Sequence, residues 1–267
     1  MGLKYDQFYF ENKIYDYFEF WKLYDKFGEQ IYEAYNEKIY CPLCYTAPLT
    51  IVRRGKRHFR VSKNNMHFHA SDCSYRLDEA SRKETRDFYK SAKADDIKRR
   101  LQACMDYLTK KSVQSRHDEL GSDGESDTGR SFFTIKTQSK KTVRLPQKFL
   151  HRGLSEEDTG IEKIFYGECR LYWIKKGKYN YLKVLNEELV ELCSIYVSEN
   201  VFSYLSKDIS DIKSDKDNAE KYFICFVTEL EEKQKSENKI YYDGVLQHSS
   251  HILIKKCENN TLRIPFQ

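Results

Sequence analysis

The chain has 267 residues, of which 40% are hydrophobic and 33% are charged, and this length accommodates two modest domains that each bury a core. The net charge of +5 is small, so a nucleic-acid role depends on where the cations lie. No apolar run reaches the ~20 residues that span a bilayer, and the first residues lack a signal-peptide layout. We therefore expect a cytoplasmic protein with reduced cysteines and no membrane partner.

The first half of the chain predicts helices. Aromatic residues recur every three or four positions through residues 4–39, which favours an amphipathic helix over part of this segment. A strand near Tyr32 to Tyr40 is the alternative for its second part. Residues 76–111 carry apolar side chains amid charges, without Gly or Pro, and they predict one or two further helices.

A change of composition divides the chain. Residues 114–131 are rich in Gly, Ser and Asp and have almost nothing to bury, so they cannot repay the entropy of ordering. We expect a first domain over 1–112, a flexible linker over 113–131 and a second domain over 132–267.

The second domain predicts β structure. Its segments alternate in the strand manner, and a short helix over 199–207 falls between the third and fourth of them. Three strands, a helix and further strands is the element order of an OB-fold, a small Greek-key barrel. The fold class is therefore α+β, with a mostly antiparallel, OB-like C-terminal domain. The candidate strands are 164–176, 179–185, 191–198, 221–232, 239–246 and 251–256.

Cysteines and histidines cluster with the spacing of a zinc site. Cys41 and Cys44 form a Cys-x-x-Cys pair, from which one tight turn supplies two ligands to the same ion. His69 and Cys73 supply the second pair, and His67 is the alternative histidine. A redox pair or simple buried thiols would also use Cys-x-x-Cys, but neither needs the later His and Cys. We predict zinc as the cofactor.

This stretch resembles the N-terminal zinc-ribbon region of the competence protein CoiA family. The resemblance rests on "CPLC", the basic segment "TIVRRGKRHFR", "HFH" at 67–69 and Cys73, and it covers about residues 30–90. The family motif is His-Phe-x-His, so "HFH" is one residue shorter and leaves the choice between the two histidines open. The resemblance implies an N-terminal zinc-ribbon module, to which the predicted helices are added.

Proteins of this family often continue into a nuclease-like domain, which makes a metal-dependent nuclease the alternative function. Such nucleases need an Asp and a Glu-x-Lys on adjoining core strands to hold the ion that activates water. The segments "EASRKET", "IEK" and "EEK" contain carboxylates, but they do not form that pattern. The resemblance therefore supports the zinc module and not the activity.

Two groups of residues predict a nucleic-acid surface. The first is a basic segment between Cys44 and His67 that contains no acid and suits phosphate contacts. The second is the outer face of the 164–185 hairpin, where tyrosines and cations alternate, although tyrosine also favours exposed strands for stability alone. The predicted contacts are Arg53, Arg54, Lys56, Arg57 and Arg60 in the first group, and Arg170, Tyr172, Tyr179, Tyr181 and Lys183 in the second.

The sequence thus predicts a zinc-containing, non-catalytic protein that binds nucleic acid, in particular single-stranded DNA. Stacked rings would hold bases, and cations would hold the backbone. A protein-interaction adaptor with a structural zinc, whose partner is another chain, is the remaining alternative. Salt dependence distinguishes the two, because only phosphate binding weakens steeply with added salt.

Overall fold

The structure is a computed structural model that describes residues 4–71, 73–109, 133–150, 153–205, 209–236 and 239–257. Within these ranges helices combine with a seven-stranded mixed sheet, so the predicted α+β class is confirmed. No helix in the described part of the chain is both long enough and apolar enough to cross a membrane. The predicted linker, 113–131, lies outside the described residues.

The N-terminal region begins with strands, and the helix expected over part of residues 4–39 is confirmed from Tyr17 onwards. A two-residue turn at Glu11 and Asn12, both with positive φ, joins the paired strands Gln7–Phe10 and Lys13–Asp16. Turns of this kind match the twist of a hairpin. Asp16 then caps the first helix through a capping box with Glu19. The elements are β1 Lys4–Tyr5, β2 Gln7–Phe10, β3 Lys13–Asp16, α1 Tyr17–Phe27 and α2 Glu29–Tyr35.

A small sheet and two helices complete the first half. Strand β4, Thr50–Val52, pairs with β5, His58–Arg60, and β5 pairs with β1. Helix α3, Arg82–Ser91, and helix α4, Ala94–Thr109, confirm the helical prediction for this segment. In place of the alternative strand near Tyr32 to Tyr40, α2 is followed by two isolated bridges, from Tyr40 to Tyr9 and from Tyr40 to Pro48.

The second half contains all six predicted strands. After β6 Thr134–Lys136, β7 Thr142–Arg144 and β8 Gln147–Phe149, the long strands and one short helix follow. These are β9 Glu162–Lys176, β10 Tyr179–Leu185, β11 Glu191–Val197, α5 Glu199–Leu205, β12 Glu220–Ser236, β13 Lys239–Leu246 and β14 Ile252–Lys256.

Five of these strands form a closed ring of hydrogen-bonded pairs. Strand β9 pairs with β12 along its first part and with β10 along its last part. The ring continues from β10 to β11, then through a parallel pair to β13, and from β13 back to β12. The chain therefore closes this sheet on itself, with β8 and β14 as additional edge strands.

The hydrophobic core of the first half continues across the expected domain boundary. It includes Phe133, Val143 and Leu145, and also Tyr166 of β9 and Val227 of β12. The barrel strands carry large residues on both faces, so their outer face needs a cover, and α4 packs against β12, β14 and β9 to provide one. The parts of the chain before residue 113 and after residue 131 therefore do not have two independent cores. Strands β6 and β7 pack in the core of the first half.

Candidate metal centre and binding surface

Four ligand side chains that are distant in sequence converge at one buried point. The ligand atoms of Cys41, Cys44, His69 and Cys73 all lie within 4.8 Å of one another. Cys41 Sγ lies 3.9 Å from Cys73 Sγ, and Cys44 Sγ lies 3.4 Å from His69 Nδ1. All four predicted ligands are therefore brought together, and the cluster is compatible with a metal ion.

A tight turn presents the first ligand pair. The backbone N–H of Tyr45 donates to the Cys41 carbonyl at 2.9 Å, and the N–H of Leu43 donates to Cys41 Sγ at 3.4 Å. Tyr45 takes a positive φ of 61° to complete the turn. The backbone itself thus directs both sulfur atoms to the same side, as a shared ion requires.

The second ligand pair comes from two short 3₁₀ turns. The turn Lys63–Phe68 ends at His69, and Cys73 begins the turn Ser74–Arg76. Thr46 connects the two ligand loops, since its Oγ1 lies 3.3 Å from Cys44 Sγ and 2.8 Å from the Phe68 carbonyl oxygen. The β4–β5 hairpin joins the loops along the chain.

The structure distinguishes the two candidate histidines. His69 is only 3% exposed, with Nδ1 towards the cysteines and Nε2 3.0 Å from the Tyr5 hydroxyl. His67 is exposed, and its ring centroid lies 4.1 Å from that of Phe68. His69 is the histidine of the cluster.

The three cysteine side chains of the cluster favour a bound cation, because thiolates are negatively charged. Burial raises the pKa of the Cys41 thiol well above its ordinary value. Hydrogen bonds from Cys41 and Cys73 lower the pKa of Cys44 instead, so one thiolate is stabilised by its neighbours. Three buried thiolates would repel one another, and a divalent ion at their centre removes that repulsion. The donor set therefore fits a thiophilic metal.

The basic segment is only partly free for phosphate contacts. Arg53 forms an ion pair with Glu29 of α2, and its guanidinium lies 3.6 Å from the centroid of the Tyr32 ring. Arg57 pairs with Asp25 of α1 at 2.6 Å. The sequence contains no acid within this segment, but the fold brings acids from the helices to two of its cations. The residues that remain exposed are Arg54, Lys56 and Arg60.

The outer face of the β9–β10 hairpin is covered at one end, so the predicted exposure of Tyr172 is wrong. Tyr172 is 7% exposed and packs with Leu185 and Ala219. Arg170 donates to the carbonyl of Ala219 at 2.7 Å, and Lys183 pairs with Glu191 at 2.6 Å. Ala219, which directly precedes β12, thus covers this end of the face together with Leu189, and strand alternation alone does not reveal that contact.

The uncovered end of the same face carries three tyrosines. Tyr181 of β10 lies opposite Tyr196 of β11, with ring centroids 5.8 Å apart, and Tyr179 lies 5.7 Å from Tyr196. We call these three residues the tyrosine face. Tyr196 was not among the predicted contacts, although the alternation of "ELCSIYVS" already places it on the side opposite to Cys193, Ile195 and Val197.

The tyrosine face forms one wall of a cleft of about 690 Å³. Tyr89 and Lys90 of α3 contribute to the lining, as does Glu162 at the start of β9. Gly244 and Val245 of β13 also line it. The cleft therefore lies where helix α3 of the first half meets the barrel, and it draws residues from both.

Comparison with known proteins gives little guidance. The chain matches no protein-family model and no curated protein. Among solved structures, OBody AM3L09 bound to hen egg-white lysozyme is 15% identical with a TM-score of 0.28, and the match covers 40% of this chain and 93% of that one. OBody AM2EP06 bound to the same lysozyme is 17% identical with a TM-score of 0.27, over 39% and 88% of the two chains. Scores at this level do not establish a shared fold.

Proposed function

We propose that this chain is a zinc-containing protein that binds single-stranded nucleic acid, in particular single-stranded DNA, and catalyses no reaction of its own. The observation that carries the proposal is the tyrosine face, a group of one exposed and two half-buried rings on neighbouring strands of a closed β ring. Rings of this kind hold bases by stacking, and every base offers a π face.

Zinc is the metal that the donor set favours. Three cysteines and one histidine make a closed four-ligand set, which is typical of structural zinc sites and leaves no position for a substrate. Thiolate and imidazole ligands disfavour magnesium and calcium, which prefer oxygen. The resemblance of residues 40–75 to the CoiA zinc ribbon points to the same metal. We therefore assign the ion a role in stability.

The strand order supports an OB-like barrel as the binding scaffold. The ring β9-β10-β11-β13-β12, with α5 between its third and fourth strands along the chain, follows the element order of that fold. In OB-folds the face of the second and third strands binds oligonucleotides. Here those strands are β10 and β11, which carry Tyr179, Tyr181 and Tyr196.

Cations at one end of the tyrosine face supply phosphate contacts. Lys175, Lys176 and Lys178 lie at the exposed β9–β10 turn, here called the lysine turn. Lys178 Nζ lies 5.5 Å from the centroid of the Tyr179 ring, whereas Lys175 is on the opposite face and pairs with Glu199 at 3.9 Å. The far side of the cleft carries Glu229 and Glu231, which would repel a phosphate. The backbone of a bound strand should therefore pass along the lysine turn, with its bases directed into the cleft.

A titration that compares nucleic acids tests the proposal. Fluorescence anisotropy with single-stranded DNA, duplex DNA and RNA of equal length, each at two salt concentrations, should show the tightest binding for single-stranded DNA. Binding should weaken steeply with salt. Absence of binding to all three at low salt would overturn the function, whereas salt-independent binding of a protein partner would favour the adaptor. Cleavage of DNA that requires added magnesium would favour the nuclease.

A further inference from the structure

Two polar atoms that line the cleft are buried without a partner. Glu162 Oε2 and the Tyr89 hydroxyl have no hydrogen-bond partner among the described residues. Buried polar groups are nearly always satisfied, so this carboxylate and this phenol are set apart from the exposed acids of the cleft. Both residues also line the cleft, so a ligand that enters it and displaces the groups over these two atoms can supply the missing contacts.

Glu162 lies far enough from the tyrosine face to contact a base that is not the immediate neighbour of those stacked there. Tyr196 pairs with Val245 of β13, and Glu162 pairs with Glu229 of β12. The path across the sheet from β11 through β13 and β12 to β9 is three strand spacings, or roughly 15 Å. A base at Glu162 is therefore a different one from those that stack on the tyrosines.

The chemistry of the two groups is selective. A carboxylate accepts two parallel hydrogen bonds, and a neutral phenol donates one. Burial raises the pKa of Tyr89 against the opposing charge of Arg100, and the carboxylate of Glu162 adds a smaller increase, so the Tyr89 hydroxyl stays protonated. Among the bases only guanine offers two adjacent donors, N1–H and the 2-amino group, next to an acceptor, O6. Adenine and cytosine place an acceptor beside their amino group, and thymine has a single N–H between two carbonyls.

We propose that Glu162 and Tyr89 form a guanine-selective subsite within the nucleic-acid surface, with the carboxylate on N1–H and the 2-amino group and the phenol on O6. This inference rests on the proposed function. It gives one position of a bound strand a base preference, while the tyrosine face accepts any base.

Binding of labelled oligothymidines tests the subsite. A thymidine 12-mer with one central guanine should bind the wild-type protein about tenfold more tightly than the all-thymidine 12-mer, within the range of a good bidentate contact. A central adenine or cytosine should give no such gain. Hypoxanthine, which lacks the 2-amino group, should lie between guanine and adenine.

Matched variants assign the preference to Glu162. Glu162→Gln and Glu229→Gln each remove one negative charge from the cleft, but Glu229 is exposed. Glu162→Gln should abolish the guanine preference, and Glu229→Gln should keep it. Unchanged thermal midpoints verify that both variants fold.

The outcomes separate this inference from the proposed function. Tight binding of all 12-mers without a guanine preference, or a preference that survives Glu162→Gln, would overturn the subsite and leave the function intact. Failure to bind any oligonucleotide would overturn both. Glu162-dependent binding of an arginine peptide instead would assign the cleft to a protein, since a guanidinium also presents two adjacent donors.

Discussion

At the residue scale, the hydrogen bond between His69 and Tyr5 explains how the metal cluster selects its imidazole. When Nδ1 binds a metal ion, the imidazole proton is on Nε2, which lies 3.0 Å from the Tyr5 hydroxyl and donates to it. Such outer contacts fix the tautomer and orientation of a ligating histidine. Burial raises the pKa of Tyr5, so the phenol remains neutral and suited to this bond.

We expect the histidine variants to behave differently. His69→Ala should lose the metal, because it removes one of four ligands, and His67→Ala should retain it, because that ring is exposed. Elemental analysis of purified protein should find about one zinc per chain in the wild type and in His67→Ala. A full equivalent in His69→Ala together with loss in His67→Ala would reverse the assignment.

Tyr5→Phe should weaken the metal site without removing a ligand. Loss of an outer hydrogen-bond partner typically lowers metal affinity about 10–100-fold. Competition with a chromophoric chelator measures this change. Tyr9→Phe is the matched control, since the Tyr9 hydroxyl donates to Asn12 at 2.8 Å and lies outside the cluster. Equal affinities for wild type and Tyr5→Phe would show that Tyr5 contributes only packing.

Spacing alone identified the ligand residues, but it did not decide between the histidines. Cys41, Cys44 and Cys73 follow from the Cys-x-x-Cys pair and the later cysteine. The orientation of His67 and His69 depends on the 3₁₀ turn that ends at Phe68, and extended-chain reasoning does not predict that turn. Tyr5 is 64 residues from His69 in sequence, and no local pattern connects them.

At the scale of elements, the β9–β10 hairpin shows how one face can be divided between core and surface. Tyr172 and Tyr181 lie on the same outer face, since Lys183 pairs with Tyr172 and Ile174 pairs with Tyr181. Ala219 and Leu189 pack in the cluster of the first, whereas the second stays partly exposed. Alternation predicted the strands and their faces, because side-chain direction is local. It could not predict which loop would return to cover one end.

The lysine turn should determine part of the salt dependence. Replacing Lys175, Lys176 and Lys178 together by Gln should make the slope of log affinity against log salt shallower by about 1.4, at roughly 0.7 per phosphate contact on single strands, because Lys175 is already paired with Glu199 at 3.9 Å. Lys183→Gln should change it little, because Lys183 is paired with Glu191 at 2.6 Å. Identical slopes for wild type and the triple variant would place the phosphate path elsewhere, with exposed Arg54, Lys56 and Arg60 as the next candidates.

At the scale of the whole molecule, the Cys/His cluster and the closed ring of strands share one core. The same cluster of buried residues contains Cys41 and Cys73 and also Tyr166 and Val227 of the barrel strands. Composition suggested two separate domains, because a polar segment interrupts the chain at 113–131. Composition does not reveal that helix α4 covers the outside of the barrel, since both partners carry ordinary apolar patterns.

Removal of the metal should therefore destabilise the entire molecule. A ligand at 100 times its Kd contributes about 2.7 kcal/mol, and about 1 kcal/mol shifts the Tm of a protein of this size by roughly 2–4 °C. A strong chelator should lower the Tm by at least about 5 °C in a single transition, as measured by calorimetry. The chelator should have no further effect on Cys73→Ser. Two transitions, of which only one responds to the chelator, would show that the halves unfold separately.

The most direct test of the account is the affinity of a tyrosine variant for single-stranded DNA. Tyr181→Ala with Tyr196→Ala should weaken binding by about 2–6 kcal/mol, at the ~1–3 kcal/mol that each stacked base contributes. Tyr204→Ala is the matched control, because Tyr204 on α5 is 76% exposed and lies outside the cleft. Each variant must first show a thermal midpoint close to that of the wild type. If the double variant folds normally and binds single-stranded DNA as tightly as wild type and Tyr204→Ala, the tyrosine face is not the binding surface and the proposed function loses its support.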